Sequence, residues 1–138
     1  MTTIHERFVV ATKGRGTYDL TERVRGFASR QQDPNGILHV FLRHTSASMI
    51  LCENADPSVR RDLEVVFQRL APDGDPSYEH DDEGPDDMPA HIRSVLTQNS
   101  LSIPVVDGIL ALGTWQGLYL WEHRTAPHER SVILSYSS

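Results

Sequence analysis

A chain of 138 residues with 13 lysines and arginines against 19 aspartates and glutamates has a formal net charge of −6. It is long enough to form one domain, residues 1–138, that buries about two thirds of its unfolded surface without staples. The acidic balance excludes polyanion binding as the main business, so no nucleic-acid partner is expected, although single arginines can still hold one phosphate group. No run approaches the eighteen or so apolar residues of a membrane span, and the lone Cys52, inside the apolar run Met49 to Cys52, rules out an internal disulfide. A soluble, cytoplasmic protein without a membrane partner is the expectation.

In chain order, Ile4 to Thr12 reads as a first strand, ended by the glycines of Lys13-Gly14-Arg15-Gly16. Leu20, Val24, Phe27 and Ala28 then form an apolar stripe at helical spacing. After the turn Asp33-Pro34-Asn35-Gly36, the run Ile37 to His44 alternates, so that Leu38, Val40, Leu42 and His44 point one way. Ser48 to Glu53 is a further strand. Asp56 before Pro57 starts a helix whose Val59, Leu63, Val66, Phe67 and Leu70 repeat on one face.

From Pro72 to Pro89 the composition changes to four prolines and eight carboxylates with no lysine or arginine, which predicts a long loop. Pro89 opens a helix to about Gln98, with Ile92, Val95 and Leu96 inward. Ile103 to Val106 and Ile109 to Leu112 flank Asp107-Gly108, the pair for a type I′ hairpin turn. Trp115 to Glu122 and Arg130 to Tyr136 complete the strands. The interrupted order is not a βαβ alternation; it predicts a single α+β domain with mixed or largely antiparallel sheets and two to three helices.

A family resemblance rests on Ser100, Ile103, Val105, Gly108 and the run Gly113-Thr114-Trp115-Gln116 with Leu118, on His44-Thr45-Ser46-Ala47, on Glu53-Asn54-Ala55-Asp56-Pro57, and on Glu83 through Ile92. These blocks, spread from about residue 37 to the end, resemble those of the YjbQ family, also called UPF0047. The resemblance implies the same α+β fold, a homotrimer, and an activity attached to the family by name: a secondary thiamine-phosphate synthase, which joins a pyrimidine methyl diphosphate to a thiazole phosphate and releases pyrophosphate.

Three of the seven histidines, His44, His80 and His91, stand at element junctions. Three neutral imidazoles around one ion with an open position is the pattern of catalytic zinc or a similar transition metal, and the resemblance supports these positions because His44 and His91 fall in family-like blocks and His80 lies just before one. Ordinary hydrogen-bonded histidines are the alternative. A divalent cation, a transition metal ahead of magnesium, is therefore the expected cofactor. In the acidic loop, Glu83 and Asp87 are the carboxylates to test as ligands or as partners orienting the histidines, against a solvated run.

Thr45 and Ser46 can present hydroxyls and amides to an anion, or simply end a strand. Arg43, Arg124 and Arg130 are the cations best placed to hold a phosphate, although exposed arginines usually do not. Glu53 and Asn54, between a strand and a helix cap, and Thr114 and Gln116, around Trp115, are catalytic or pocket-lining candidates; capping and core packing are the alternatives. His123 and His128 read as surface residues, and no G-x-S-x-G nucleophile elbow occurs. Three functions follow, with a small phosphorylated molecule the expected partner: the synthase-like transferase, a metal-dependent hydrolase of a small phosphorylated or amide substrate, or a non-catalytic trimeric module that binds a metal or small ligand between subunits.

Overall fold

The structure, a computed structural model, describes all residues 1–138. Its elements run β1 (Thr3–Ala11), β2 (Gly16–Asp19), α1 (Thr21–Ser29), β3 (Gly36–Leu42), β4 (Ala47–Glu53), α2 (Ser58–Leu70), α3 (Asp87–Leu96), β5 (Ser100–Val106), β6 (Ile109–Leu110), β7 (Gln116–Glu122) and β8 (Glu129–Ser137). Five strands in the order β1-β8-β3-β5-β6 form one sheet and β2-β7-β4 form a second. Every strand pairing is antiparallel, so the α+β expectation holds in its antiparallel form.

The alternation read from the sequence builds the core. Leu38, Val40 and Leu42 of β3, with Phe8, Val132 and Leu134, join Met49, Leu118 and Leu120 of the smaller sheet, and Val24 and Phe27 of α1 close one end. Asp107 and Gly108 have φ of 52° and 79°, the positive values that a type I′ turn needs.

β7 departs from simple alternation because it is central in its sheet and covered on both faces. Leu118 and Leu120 enter the core, while Tyr119 and Trp121 face α2. There the Arg60 guanidinium lies 4.4 Å from the Tyr119 ring centre, and Phe67 meets Trp121 edge-on at 4.8 Å. Trp115 falls just before the strand and is exposed, so the core-packing alternative does not hold for it.

Three boundaries correct the sequence reading. β2 went unrecognised, because four residues are too few to display alternation. β3 ends at Leu42, which leaves His44 beyond the strand. Helix α3 starts at Asp87, two residues before Pro89, because the first-turn N–H groups lack intrahelical partners and a proline there costs nothing. Its inward face also differs. Val95 and Leu96 are exposed, and Asp87, Ala90 and Arg93 are buried. The helix turns polar residues inward where an apolar stripe would predict otherwise, and the candidate site lies there.

Candidate metal centre

Gly84, at φ 103°, turns the chain into α3. Asp86 next accepts from the Thr125 N–H at 2.8 Å and Arg124 Nε at 3.0 Å. Burial alone would push its carboxyl up; these donors outweigh it and hold the group down at about 2. Arg124 also donates to Asp87 Oδ1 at 2.8 Å and to the Glu83 carbonyl at 2.8 Å. One guanidinium therefore clamps the loop end and fixes one oxygen of Asp87.

The other oxygen meets two imidazoles. Asp87 Oδ2 lies 2.7 Å from His80 Nε2 and 3.2 Å from His91 Nε2, and the three donor atoms sit within 4.8 Å of one another. Asp87 and His91 are four residues apart on one helix face, and the loop brings His80 back to them. The Asp87 carboxylate is almost wholly buried, whereas the two rings are partly exposed.

His91 Nδ1 lies 3.2 Å from the Thr45 carbonyl, which can only accept. The Nδ1–H tautomer that satisfies this contact leaves the Nε2 lone pair facing the carboxylate of Asp87. Two lone pairs then oppose each other unless a proton or a cation stands between them. Two nitrogens and one carboxylate oxygen suit zinc or a similar transition metal and leave coordination positions open.

The third partner of His80 and His91 is thus Asp87. His44 stands apart: its Nε2 accepts from the Ser131 N–H at 2.8 Å, and burial followed by Arg130 lowers its pKa. Thr45 serves through its carbonyl. The Ser46 carbonyl and hydroxyl both accept from Arg130, and Arg130 forms a two-contact ion pair with the fully buried Glu122. Arg124 and Arg130 are therefore spent on carboxylates of this chain, and Arg43 is exposed.

Glu53, Asn54, Thr114 and Gln116 gather elsewhere. Glu53 Oε2 accepts from the Asp56 N–H at 2.6 Å, Asn54 Nδ2 donates to the Thr114 carbonyl at 3.2 Å, and Gln116 Oε1 accepts from the Gly113 N–H at 2.8 Å. They knit the Glu53–Gln116 end of the β4–β7 ladder, whereas the His80–Asp87–His91 cluster adjoins the Ala47–Glu122 end. Seven strand residues separate these ends by roughly 20 Å.

Sequence reasoning misplaced His123. It is fully buried, with Nε2 2.7 Å from the Ser48 hydroxyl, which is equally buried and cannot meet a substrate. Burial, then Arg93, lowers its pKa from 6.5 to about 3. The unfolded chain therefore takes up a proton below pH 6.5 that the folded chain refuses until near pH 3, so stability falls as pH falls through that window. The expected slope approaches about 1.4 kcal/mol per pH unit. Denaturation midpoints at pH 7, 6 and 5 check this: His123→Gln, which keeps a partner for Ser48, should flatten the dependence, and an unchanged slope would show that His123 does not cause it.

A family model described as "UPF0047 protein YjbQ-like" matches residues 6–138. The UPF0047 protein sll1880 of Synechocystis is 48% identical over 132 residues, covering 96% of this chain and 90% of that protein. The UPF0047 protein YjbQ of Escherichia coli O157:H7 is 45% identical over 90% of each. Among solved structures, an uncharacterised conserved protein of the YjbQ/UPF0047 family from Clostridium acetobutylicum superposes with a TM-score of 0.87 at 32% identity, covering 96% of this chain and 99% of that one. The hypothetical protein APE1520 of Aeropyrum pernix K1 gives 0.87 at 33% identity over 100% and 99%.

Proposed function

The chain belongs to the UPF0047 YjbQ-like family, and from that premise we propose that it is a divalent-metal-dependent enzyme acting on a small polar substrate, with His80, Asp87 and His91 as the protein ligands. The observation that carries the reading is the His91 ring, tied through Nδ1 to a carbonyl while its Nε2 faces a buried carboxylate oxygen. A bound cation would supply Lewis-acid polarisation of water or of a substrate oxygen.

The chain's own residues supply the rest. Thr45 fixes the tautomer of His91, and Arg124 holds Asp87 in place. A cleft of about 340 Å³ beside His91 is lined by His44, Thr45, Ser94, Thr97 and Asn99, which can orient a small polar molecule. Ser94 is anchored to the Ala47 carbonyl at 3.3 Å, so the wall is held by β4.

Within this reading, metal-assisted hydrolysis fits better than the thiamine-phosphate synthase reaction. A diphosphate leaving group calls for free cations, and two of the three arginines expected to serve it, Arg124 and Arg130, are committed to Asp86, Asp87 and Glu122. The synthase reading keeps the support of the family resemblance alone. A homotrimer, also implied by the resemblance, accords with the uncovered outer face of the larger sheet, where Val9, Ile37 and Phe41 are about half exposed. Light scattering checks it, and a monomeric mass would remove that part.

The test is calorimetric titration of chelator-treated protein with zinc and manganese. One ion per chain is expected, with binding lost in His91→Ala. Equal binding by the variant, or none by the wild type, would sink the metal centre.

A further inference from the structure

A pocket of about 280 Å³ opens between the Arg15–Thr17 stretch and the first turns of α2, with Trp121 in its lining. We propose that this pocket is a phosphate subsite for a small phosphorylated molecule, built by Arg60 and Arg61, with Arg15 at its edge already paired with Asp73. The inference stands apart from the metal centre and uses none of its ligands.

Charge carries the argument. Three guanidinium groups and one carboxylate, Glu64, line the pocket of a chain whose formal net charge is −6. Glu64 is partly answered: its Oε2 accepts from the fully buried Arg93 at 2.6 Å, and its Oε1, which has no hydrogen-bond partner, lies 3.9 Å from Arg15 Nε. Arg93 keeps Nε and Nη2 without partners, so its positive charge is only partly answered. Asp73 offsets Arg15 through two contacts of 2.8 and 3.0 Å. With Arg93, Asp73 and the neighbouring Asp56 counted, the local excess is one positive charge, and Asp56 already turns Oδ1 to the Ser58 N–H and hydroxyl.

The arginines are also held in place for the task. Arg15 Nε donates to the His123 carbonyl at 3.0 Å. Arg60 stacks on Tyr119 and donates only to neutral acceptors, the Glu53 carbonyl and the Tyr119 hydroxyl, each at 3.0 Å. It therefore keeps its charge for an incoming anion, and Arg61 forms no side-chain hydrogen bond or ion pair. Forked donors converging on a concave site match the tetrahedral oxygens of a phosphate better than a flat surface patch does. The small volume limits the occupant to a phosphate with a modest organic body.

Trp121 provides a local reporter, since the chain has only two tryptophans and Trp115 can be removed as Trp115→Phe. Fluorescence titration of that variant with inorganic phosphate, then with phosphoethanolamine, at constant ionic strength is expected to give a saturable change. Arg61→Gln, at an exposed position, should weaken binding about tenfold by removing one charge-assisted contact. Arg30→Gln, at an exposed arginine outside the pocket that pairs with Glu6, should leave binding unchanged. Absence of saturation, equal affinity in Arg61→Gln, or loss in Arg30→Gln would overturn the proposal, whatever the outcome of the metal titration.

Discussion

Asp87→Asn is expected to weaken divalent-metal binding by at least about a hundredfold while leaving the chain folded. Removing a group that only orients a ligand typically costs 10- to 100-fold, and a ligating carboxylate should cost no less. The substitution is nearly isosteric, and Arg124 retains Asp86 and the Glu83 carbonyl as partners, so the loop end stays clamped. What disappears is the single negative charge between the two imidazoles, the only carboxylate within reach of both. Calorimetric titration beside a denaturation curve separates the outcomes: metal binding lost with stability roughly kept supports the assignment, and unimpaired binding excludes Asp87 as a ligand.

Arg130→Met should produce the largest loss of stability of any single change considered, about 3–5 kcal/mol. Glu122 is fully buried, and Arg130 is its main charge partner through two contacts. Burial alone would raise the Glu122 carboxyl, and the Arg130 contact, then Thr12, reverses that. Without the arginine, Glu122 keeps only the Thr12 hydroxyl and the Arg124 N–H. The double substitution Arg130→Met with Glu122→Leu should recover part of the loss, because removing both charges avoids the unpaired one. Urea denaturation of the three proteins decides it; a loss under 1 kcal/mol in the single variant would contradict the account.

The pair also shows where sequence reading stops. Arg130 and Glu122 sit in strands whose other residues on the same inward face are apolar, and each alone reads as a strand-end polar group. Only the antiparallel return of β8 beside β1 and β3, with β7 in the facing sheet, brings them together. His123 is of the same kind. Nothing in a polar run of Glu122, His123 and Arg124 announces full burial.

Local signals fared better where local physics decides. The Asp107-Gly108 turn, the α1 stripe and the β3 alternation need only φ preferences and periodicity. Pro89 is the stronger sequence signal for the start of α3, although a proline is equally at home later in the first turn. A start at Asp87 puts Asp87 and His91, four residues apart, on one helix face. His80 and His91 were legible as candidates, and Asp87 as a carboxylate to test; that Asp87, and not His44, stands between them depends on the loop's return. The arginine pocket left no trace in the sequence, because Arg15 and the α2 arginines lie more than forty residues apart.

The most direct measurement is an anomalous difference map from crystals of the untagged protein grown with zinc. The account predicts one strong peak per chain about 2 Å from His80 Nε2, His91 Nε2 and an Asp87 oxygen. A peak on other residues, or none there with both rings still hydrogen-bonded to Asp87, would contradict it.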